Sequence, residues 1–267
     1  MASFSSSGLD LAYDDIPAMG ETRGTVVLVH GFASNRAENW KRLGWYPALE
    51  RAGYRVIAVD LRGHGESAKP HDVEAYDRSK LAADVIALMD HAGLGRAHLF
   101  GYSMGAHLSL AIALETPQRV DHLVLGGIGG RMLGEGSPRA TPAMSLSQAL
   151  LADDPATISD PIQRGFRQFA QMQGDDRQAL AACAQGRGAA VSRQDLQGLS
   201  TPTLVVAGAR DELAGDPQAL AAAISGAKSV VLPGCDHFSA IPHALFKSAV
   251  FDFLEGWDEA EENWPDL

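Results

Sequence analysis

A chain of 267 residues has the length of one large α/β domain, and it buries roughly three quarters of the surface its unfolded form exposes, so it needs no disulfide or metal staple. Apolar residues make up 46% and charged residues 21%, the proportions of an ordinary globular protein. The formal charge of -11 argues against nucleic acid and anionic membrane as partners, because phosphate would be repelled.

The start, Met1 to Ser7, lacks the basic residues and apolar run of a signal peptide. No stretch approaches the roughly 18 apolar residues that span a bilayer, and the expected location is the cytoplasm. Strands come first in the pattern. Thr25 to Val29, Tyr54 to Val59, Ala97 to Phe100, Val120 to Leu125, Thr203 to Ala207 and Ser229 to Leu232 are short, dense apolar runs. Runs of that kind read as parallel strands covered on both faces. Between them Leu81, Val85, Leu88 and Met89, then Leu108, Ala111, Ile112 and Leu114, recur at helical spacing. Strand and helix in alternation predict an α/β fold with a mostly parallel sheet and right-handed crossovers.

That rhythm breaks between residues 131 and 196. Helical patterns at Ser145 to Ala152, Pro161 to Gln173 and Asp176 to Ala184 appear there without strands, and Asp-Pro pairs at 154–155 and 160–161 interrupt them. The expected organisation is a core of residues 1–130 and 197–267 with a helical cap of residues 131–196. The acidic end, Trp257 to Leu267, reads as loosely ordered chain. Cys183 and Cys235 have no metal-ligand spacing and read as reduced thiols.

Gly101-Tyr102-Ser103-Met104-Gly105 lies between a predicted strand and a predicted helix. A sharp turn there needs residues without bulk and lifts the Ser103 hydroxyl out of the sheet. A serine becomes nucleophilic at neutral pH only beside a base, and the base needs an orienting carboxylate. His237, in Gly234-Cys235-Asp236-His237-Phe238, follows a strand at its carboxyl end, the edge where ligands bind in open α/β sheets. Asp211 follows the preceding strand in the same way, with Glu212 and Asp236 as its rivals. Among the other histidines, His107, one helical turn after Ser103, is expected to be structural. Attack on an acyl carbon creates an oxyanion that needs two preorganised donors. The backbone N–H groups of Met104 and of Phe32, in His30-Gly31-Phe32, are the candidates. The loop from Asp60 to Ser67 is expected to shape the scaffold only.

These segments, with Gly208-Ala209-Arg210-Asp211, occur in the order and at the spacing of the α/β-hydrolase superfamily, which the chain resembles outside the insertion and the acidic end. The resemblance implies an eight-stranded sheet with an antiparallel strand around Gly8 to Tyr13, and a lid after the sixth strand. It is weak on substrate. Ser103 stands where relatives that remove halide or open epoxides carry Asp, and Phe238 where many that hydrolyse carbon–carbon bonds carry Trp. The favoured activity is hydrolysis of a small carboxylic ester or lactone through an acyl-enzyme, without metal or cofactor. Carbon–carbon hydrolysis of ring-fission products, cofactor-free perhydrolysis and a ligand-sensing receptor on the same fold are the alternatives. Met132, Leu133, Met144, Phe166, Phe169 and Met172 are candidates for the pocket lining or for packing of the cap.

Overall fold

The computed structural model describes residues 2–135 and 142–256, so the segment from Trp257 onward lies outside the described residues. Eight strands form one sheet in the order β1-β2-β4-β3-β5-β6-β7-β8. They are β1 Ala2–Ser6, β2 Leu9–Ile16, β3 Gly24–Val29, β4 Tyr54–Val59, β5 Ala97–Tyr102, β6 Val120–Gly126, β7 Thr203–Gly208 and β8 Lys228–Leu232. Strands β3 to β8 pair in parallel, while β2 runs antiparallel to both β1 and β4.

The six predicted strands are all present. The expected antiparallel strand around Gly8 to Tyr13 is β2, which β1 joins through a hairpin with Ser7 and Gly8 at its tip in positive φ (51° and 76°). Two central turn residues of that kind match the right-handed twist of the flanking strands. Strand β1 carries no dense apolar run, only Phe4 inward beside the buried Ser6, whose hydroxyl donates to Asp84 at 2.6 Å.

Helices cover both faces, and the register of side chains shows why. Val27, Val29, Ile57, Val59, Leu99, Leu123, Leu125 and Val205 point to one face, where α2 (Arg78–His91) and α3 (Met104–Glu115) pack. Their alternates Val26, Leu28, Val56, Ala58, Phe100, Val124, Leu204 and Val206 point to the other. There they meet α1 (Trp45–Arg51) and α9 (Ala244–Glu255) through Trp45, Leu49, Phe246 and Val250. A period of two with both alternates apolar is what a doubly covered parallel strand requires.

Between β6 and β7 lie α4 (Leu146–Leu151), α5 (Pro161–Gln173), α6 (Arg177–Cys183) and α7 (Arg193–Gln197). Ser145, Asp160, Asp176 and Ser192 cap their N-termini through side-chain acceptors. The two Asp-Pro pairs start helical segments rather than breaking them: each Asp caps and each Pro takes the first position, where its missing N–H costs nothing. Leu150, Phe166, Ala170, Leu180 and Ala181 form a separate apolar cluster that closes on Ala33, in the loop after β3. The inserted helices therefore sit over the carboxyl edge of the sheet. Helix α8 (Pro217–Ala222) joins β7 to β8. No helix of the described residues is long and apolar enough to cross a membrane. Both cysteines are buried free thiols.

Candidate active site

Ser103 occupies the step between β5 and α3 with φ 52° and ψ −112°. A side chain in that region is strained, and such residues persist only where the surroundings over-determine them. Here the Ser103 N–H donates to Gly126 O of β6 at 2.8 Å and its carbonyl accepts from His107 N at 3.1 Å. The flanking glycines answer to close approach. A Cβ on Gly101 would overlap the Gly105 carbonyl, and one on Gly105 would overlap the Val29 carbonyl oxygen of β3. The turn can be this tight only because both positions lack a side chain.

The structure brings Ser103, His237 and Asp211 together in one hydrogen-bonded line. The Ser103 hydroxyl meets His237 Nε2 at 3.0 Å, and His237 Nδ1 meets Asp211 Oδ2 at 2.8 Å. Asp211 is buried, and its Oδ1 accepts from the backbone N–H groups of Leu213 (3.0 Å) and Ala214 (2.9 Å). The rival carboxylates lie elsewhere. Glu212 is exposed, and Asp236 closes its own turn by accepting from Phe238 N, Ser239 N and Ser239 Oγ. Those bonds hold the Asp236 carboxyl below the usual carboxylate range.

Tyr102 is a residue the sequence did not single out. Its hydroxyl donates to the His237 carbonyl at 2.5 Å, and the two rings stand 5.4 Å apart. Burial raises its phenol well above the ordinary value, so it remains a donor. The middle residue of the Gly-Tyr-Ser step thus ties the β5 end to the histidine loop.

The loop after β3 passes beside the serine: a Cβ on Gly31 would stand 3.4 Å from Ser103 Cβ. His30 fixes its geometry. Its Nδ1–H donates to Gly31 O at 2.7 Å, and its Nε2 accepts from Leu61 N at 3.0 Å. In a trans peptide the carbonyl and the following N–H point opposite ways, so the bond to Gly31 O also sets the direction of the Phe32 N–H. Gly31 N is held by Asn39 Oδ1 at 3.0 Å. Met104 is the first residue of α3, where an N–H has no acceptor within the helix. The Asp60 loop does the scaffolding expected of it. Asp60 accepts from Arg36 N and Glu66 N and pairs with the Arg36 guanidinium, joining the loops after β3 and β4.

Two cavities flank Ser103. One of about 220 Å³ is lined by Phe32, Phe166, Phe169, Phe238 and Ile241. The other, of about 310 Å³, is lined by His107, Ile128, Met132, Leu213 and Ala214. Of the cap candidates, Phe166 and Phe169 face the first and Met132 the second. Leu133 packs on the core, Met144 is half-buried with its carbonyl bound to Gln163, and Met172 points away, 76% exposed. His107, expected to be structural, borders the second cavity, because one helical turn returns it to the face that carries Ser103. Among the described residues no cluster of His, Cys, Asp and Glu has the arrangement of a metal site.

Buried histidines give the fold a pH dependence. Burial lowers His30 and His98 to about 4 and His64 to about 3. In the unfolded chain these rings take up protons near the usual 6.5. The unfolded state therefore holds more protons between pH 6.5 and 4, and stability falls as the pH is lowered through that window. Asp60 and Asp175, both raised by burial, the latter to about 6, act in the opposite sense but are outnumbered. Urea titrations from pH 7.5 to 4.5 are expected to show a loss on the order of a few kcal/mol. A flat profile would mean that His30 and His64 are charged in the folded protein.

The family model for the alpha/beta hydrolase fold matches residues 24–180. The chain is 37% identical over 231 residues to the dihydrolipoyllysine-residue acetyltransferase component of the acetoin cleaving system of Pseudomonas putida, covering 82% of this chain. It spans 60% of the length of that protein, and 46% of the length of two hydrolases that it matches over shorter stretches. To a 2-hydroxy-6-oxononadienedioate/2-hydroxy-6-oxononatrienedioate hydrolase of Cupriavidus pinatubonensis it is 30% identical over 254 residues, 86% of each chain. The solved enol-lactonase from Burkholderia xenovorans LB400 is similar with a TM-score of 0.75 and 25% identity, over 95% of this chain and 100% of that one. With the eight-stranded sheet, the strained serine turn and the family match together, the chain belongs to the α/β-hydrolase fold family.

Proposed function

We propose that the protein is a serine hydrolase that cleaves a small carboxylic ester or lactone through an acyl-enzyme, with Ser103, His237 and Asp211 as its triad. The observation that carries this reading is the line from Ser103 Oγ to His237 Nε2 (3.0 Å) and from His237 Nδ1 to Asp211 (2.8 Å), opening on two cavities. His237 takes the hydroxyl proton as Ser103 attacks the acyl carbon, then returns it to the departing alcohol oxygen. Asp211, whose second oxygen is fully occupied by two backbone donors, holds the imidazole with Nε2 free to accept. The N–H groups of Phe32 and Met104 receive the oxyanion. Water then attacks the acyl-enzyme, again through His237, and releases the acid. Residues 131–196 act as the cap of this site on a core of residues 1–130 and 197–267. The likeness to an enol-lactonase over nearly the whole of both chains supports a lactone or ester substrate.

The test is a panel of short acyl esters and lactones together with a fluorophosphonate probe. Turnover of part of the panel and labelling at Ser103 are expected; silence on both counts would overturn the reading. A second reading, hydrolysis of a carbon–carbon bond in a ring-fission dienoate, draws support from the Cupriavidus relative. It would displace the first if such a dienoate were turned over faster than every ester.

A further inference from the structure

Arg78, the first residue of α2, is a cation without a counter-charge among the described residues. Its Nη1 is buried and has no hydrogen-bond partner, and among the described residues no carboxylate forms an ion pair with it. An unpaired buried donor is costly, more so when charged, yet the chain is built to hold this one in place. Arg78 N donates to Arg187 O at 2.7 Å. A Cβ on Gly188 would crowd the Arg78 Cβ and Cγ, so the segment that clamps Arg78 needs a residue without a side chain there.

The surroundings of the guanidinium lead back to Ser103. It faces the Cys183 thiol, and Cys183 Sγ lies 3.9 Å from Met104 Sδ, on the residue after the serine. The charge of Arg78 is felt by His107, which also feels His237. It is felt as well by His64, whose buried Nε2 has no partner and whose ring packs 5.9 Å from Phe32. Arg78 and His107 line a cleft of about 770 Å³ between α2, α3 and the segment around α7. His107 is shared between this cleft and the smaller cavity that holds Ser103. Two carboxylates border the cleft, Asp195 and Glu115. Asp195 is taken by Ser192 N and Oγ at 2.9 and 2.7 Å. Glu115 lies eight residues beyond His107 on α3, about 12 Å along the axis. Neither neutralises Arg78.

We propose that Arg78, assisted by the His107 imidazole, is an anion subsite that takes a carboxylate of the substrate, so that the enzyme acts on esters or lactones carrying a second, free carboxylate. This rests on the serine-hydrolase reading and narrows its substrate class. The planar guanidinium matches a carboxylate in two-point geometry. His107 stands four positions after Ser103, about 6 Å along the α3 axis, and it joins the cleft that Arg78 lines to the cavity beside the nucleophile. A neutral imidazole there can donate to the same carboxylate without adding a charge that repels His237 as it becomes protonated. In a chain of net charge -11, an anionic substrate needs a local cation of this kind.

The experiment compares monoethyl with diethyl esters of the dicarboxylic acids from succinate to suberate, in the wild type, Arg78→Gln and Arg78→Lys. At the best chain length the wild type is expected to favour the monoester in kcat/KM by about tenfold or more, the scale of a charge-assisted hydrogen bond. The ratio should fall towards one in Arg78→Gln, mainly through KM, and recover in part in Arg78→Lys. Because the ratio is taken within one preparation, a loss of folded protein cannot mimic it. Good diester turnover with no monoester preference, or a preference that survives Arg78→Gln, overturns the subsite and leaves the hydrolase reading standing. Absence of all ester turnover overturns the hydrolase reading instead. The subsite is then read by calorimetric binding of adipate, which is expected in the wild type, lost in Arg78→Gln, and fatal to the proposal if absent from both.

Discussion

Replacing Ser103 with Ala is expected to lower ester turnover by about four to six orders of magnitude, the range seen when a triad nucleophile is removed, while leaving the melting temperature near that of the wild type. Both halves follow from the same local geometry. Ala keeps the Cβ that makes φ 52°, ψ −112° unfavourable, so the strain remains and only the hydroxyl is lost. Gly in the same place separates the two effects. A backbone in that region costs a residue with a side chain about 1–3 kcal/mol. Gly avoids that cost but loses roughly 0.5–1 kcal/mol of unfolded-state entropy relative to Ala. Ser103→Gly should therefore be equally inactive yet more stable by about 1 kcal/mol, a rise of roughly 2–4 °C in Tm for a domain of this size. The pair is checked by calorimetry and by an ester assay on the same preparations. A Ser103→Gly protein that melts below the Ser103→Ala protein would show that the turn is not strained. Residual turnover above a thousandth of the wild type would point to a nucleophile other than Ser103.

The strands around this turn were legible in the chain because parallel strands covered on both faces need both alternates apolar. Val26 to Val29 and Leu204 to Val206 satisfy that with no gap. Strand β1 was not, since Ala2 to Ser6 carries a single large apolar side chain and joins the sheet through β2. Ser103, Asp211 and His237 could be picked out because each lies just past the carboxyl end of a strand, a position that sequence can mark. Their mutual distances could not, as they depend on the order of strands in the sheet. Tyr102 and Arg78 left no signal of their own. The tyrosine acts through a hydroxyl that reaches a carbonyl 135 positions away. The arginine is one of many basic residues in the composition, and what sets it apart is the lack of a carboxylate partner among the described residues, which only the folded chain displays. His107 was read as structural because helical periodicity gives its face but not what that face meets.

Gly105→Ala should destabilise the protein by about 3 kcal/mol or more, a large fraction of the stability of an ordinary domain. Alanine in place of glycine inside a helix normally gains up to about 1 kcal/mol, and α5 offers the control. A Cβ on Gly165 meets nothing within 4 Å, so Gly165→Ala is expected to raise stability by that amount. At Gly105 the added methyl falls on the Val29 and His30 carbonyl oxygens of β3 and its exit. Both are backbone atoms fixed by the central sheet, so neither side can yield as a flexible side chain would. Helix α3 must move away from β3, and the consequence reaches the chemistry. The Met104 N–H rides on α3 and the Phe32 N–H on the loop leaving β3, so the same displacement spreads the two donors proposed for the oxyanion. The folded fraction of Gly105→Ala should therefore lose kcat, by about 10²-fold or more if one donor is misplaced, in addition to its lower urea midpoint. A Gly105→Ala protein with unchanged midpoint and unchanged kcat would mean that α3 and β3 are not packed in backbone contact at the nucleophile.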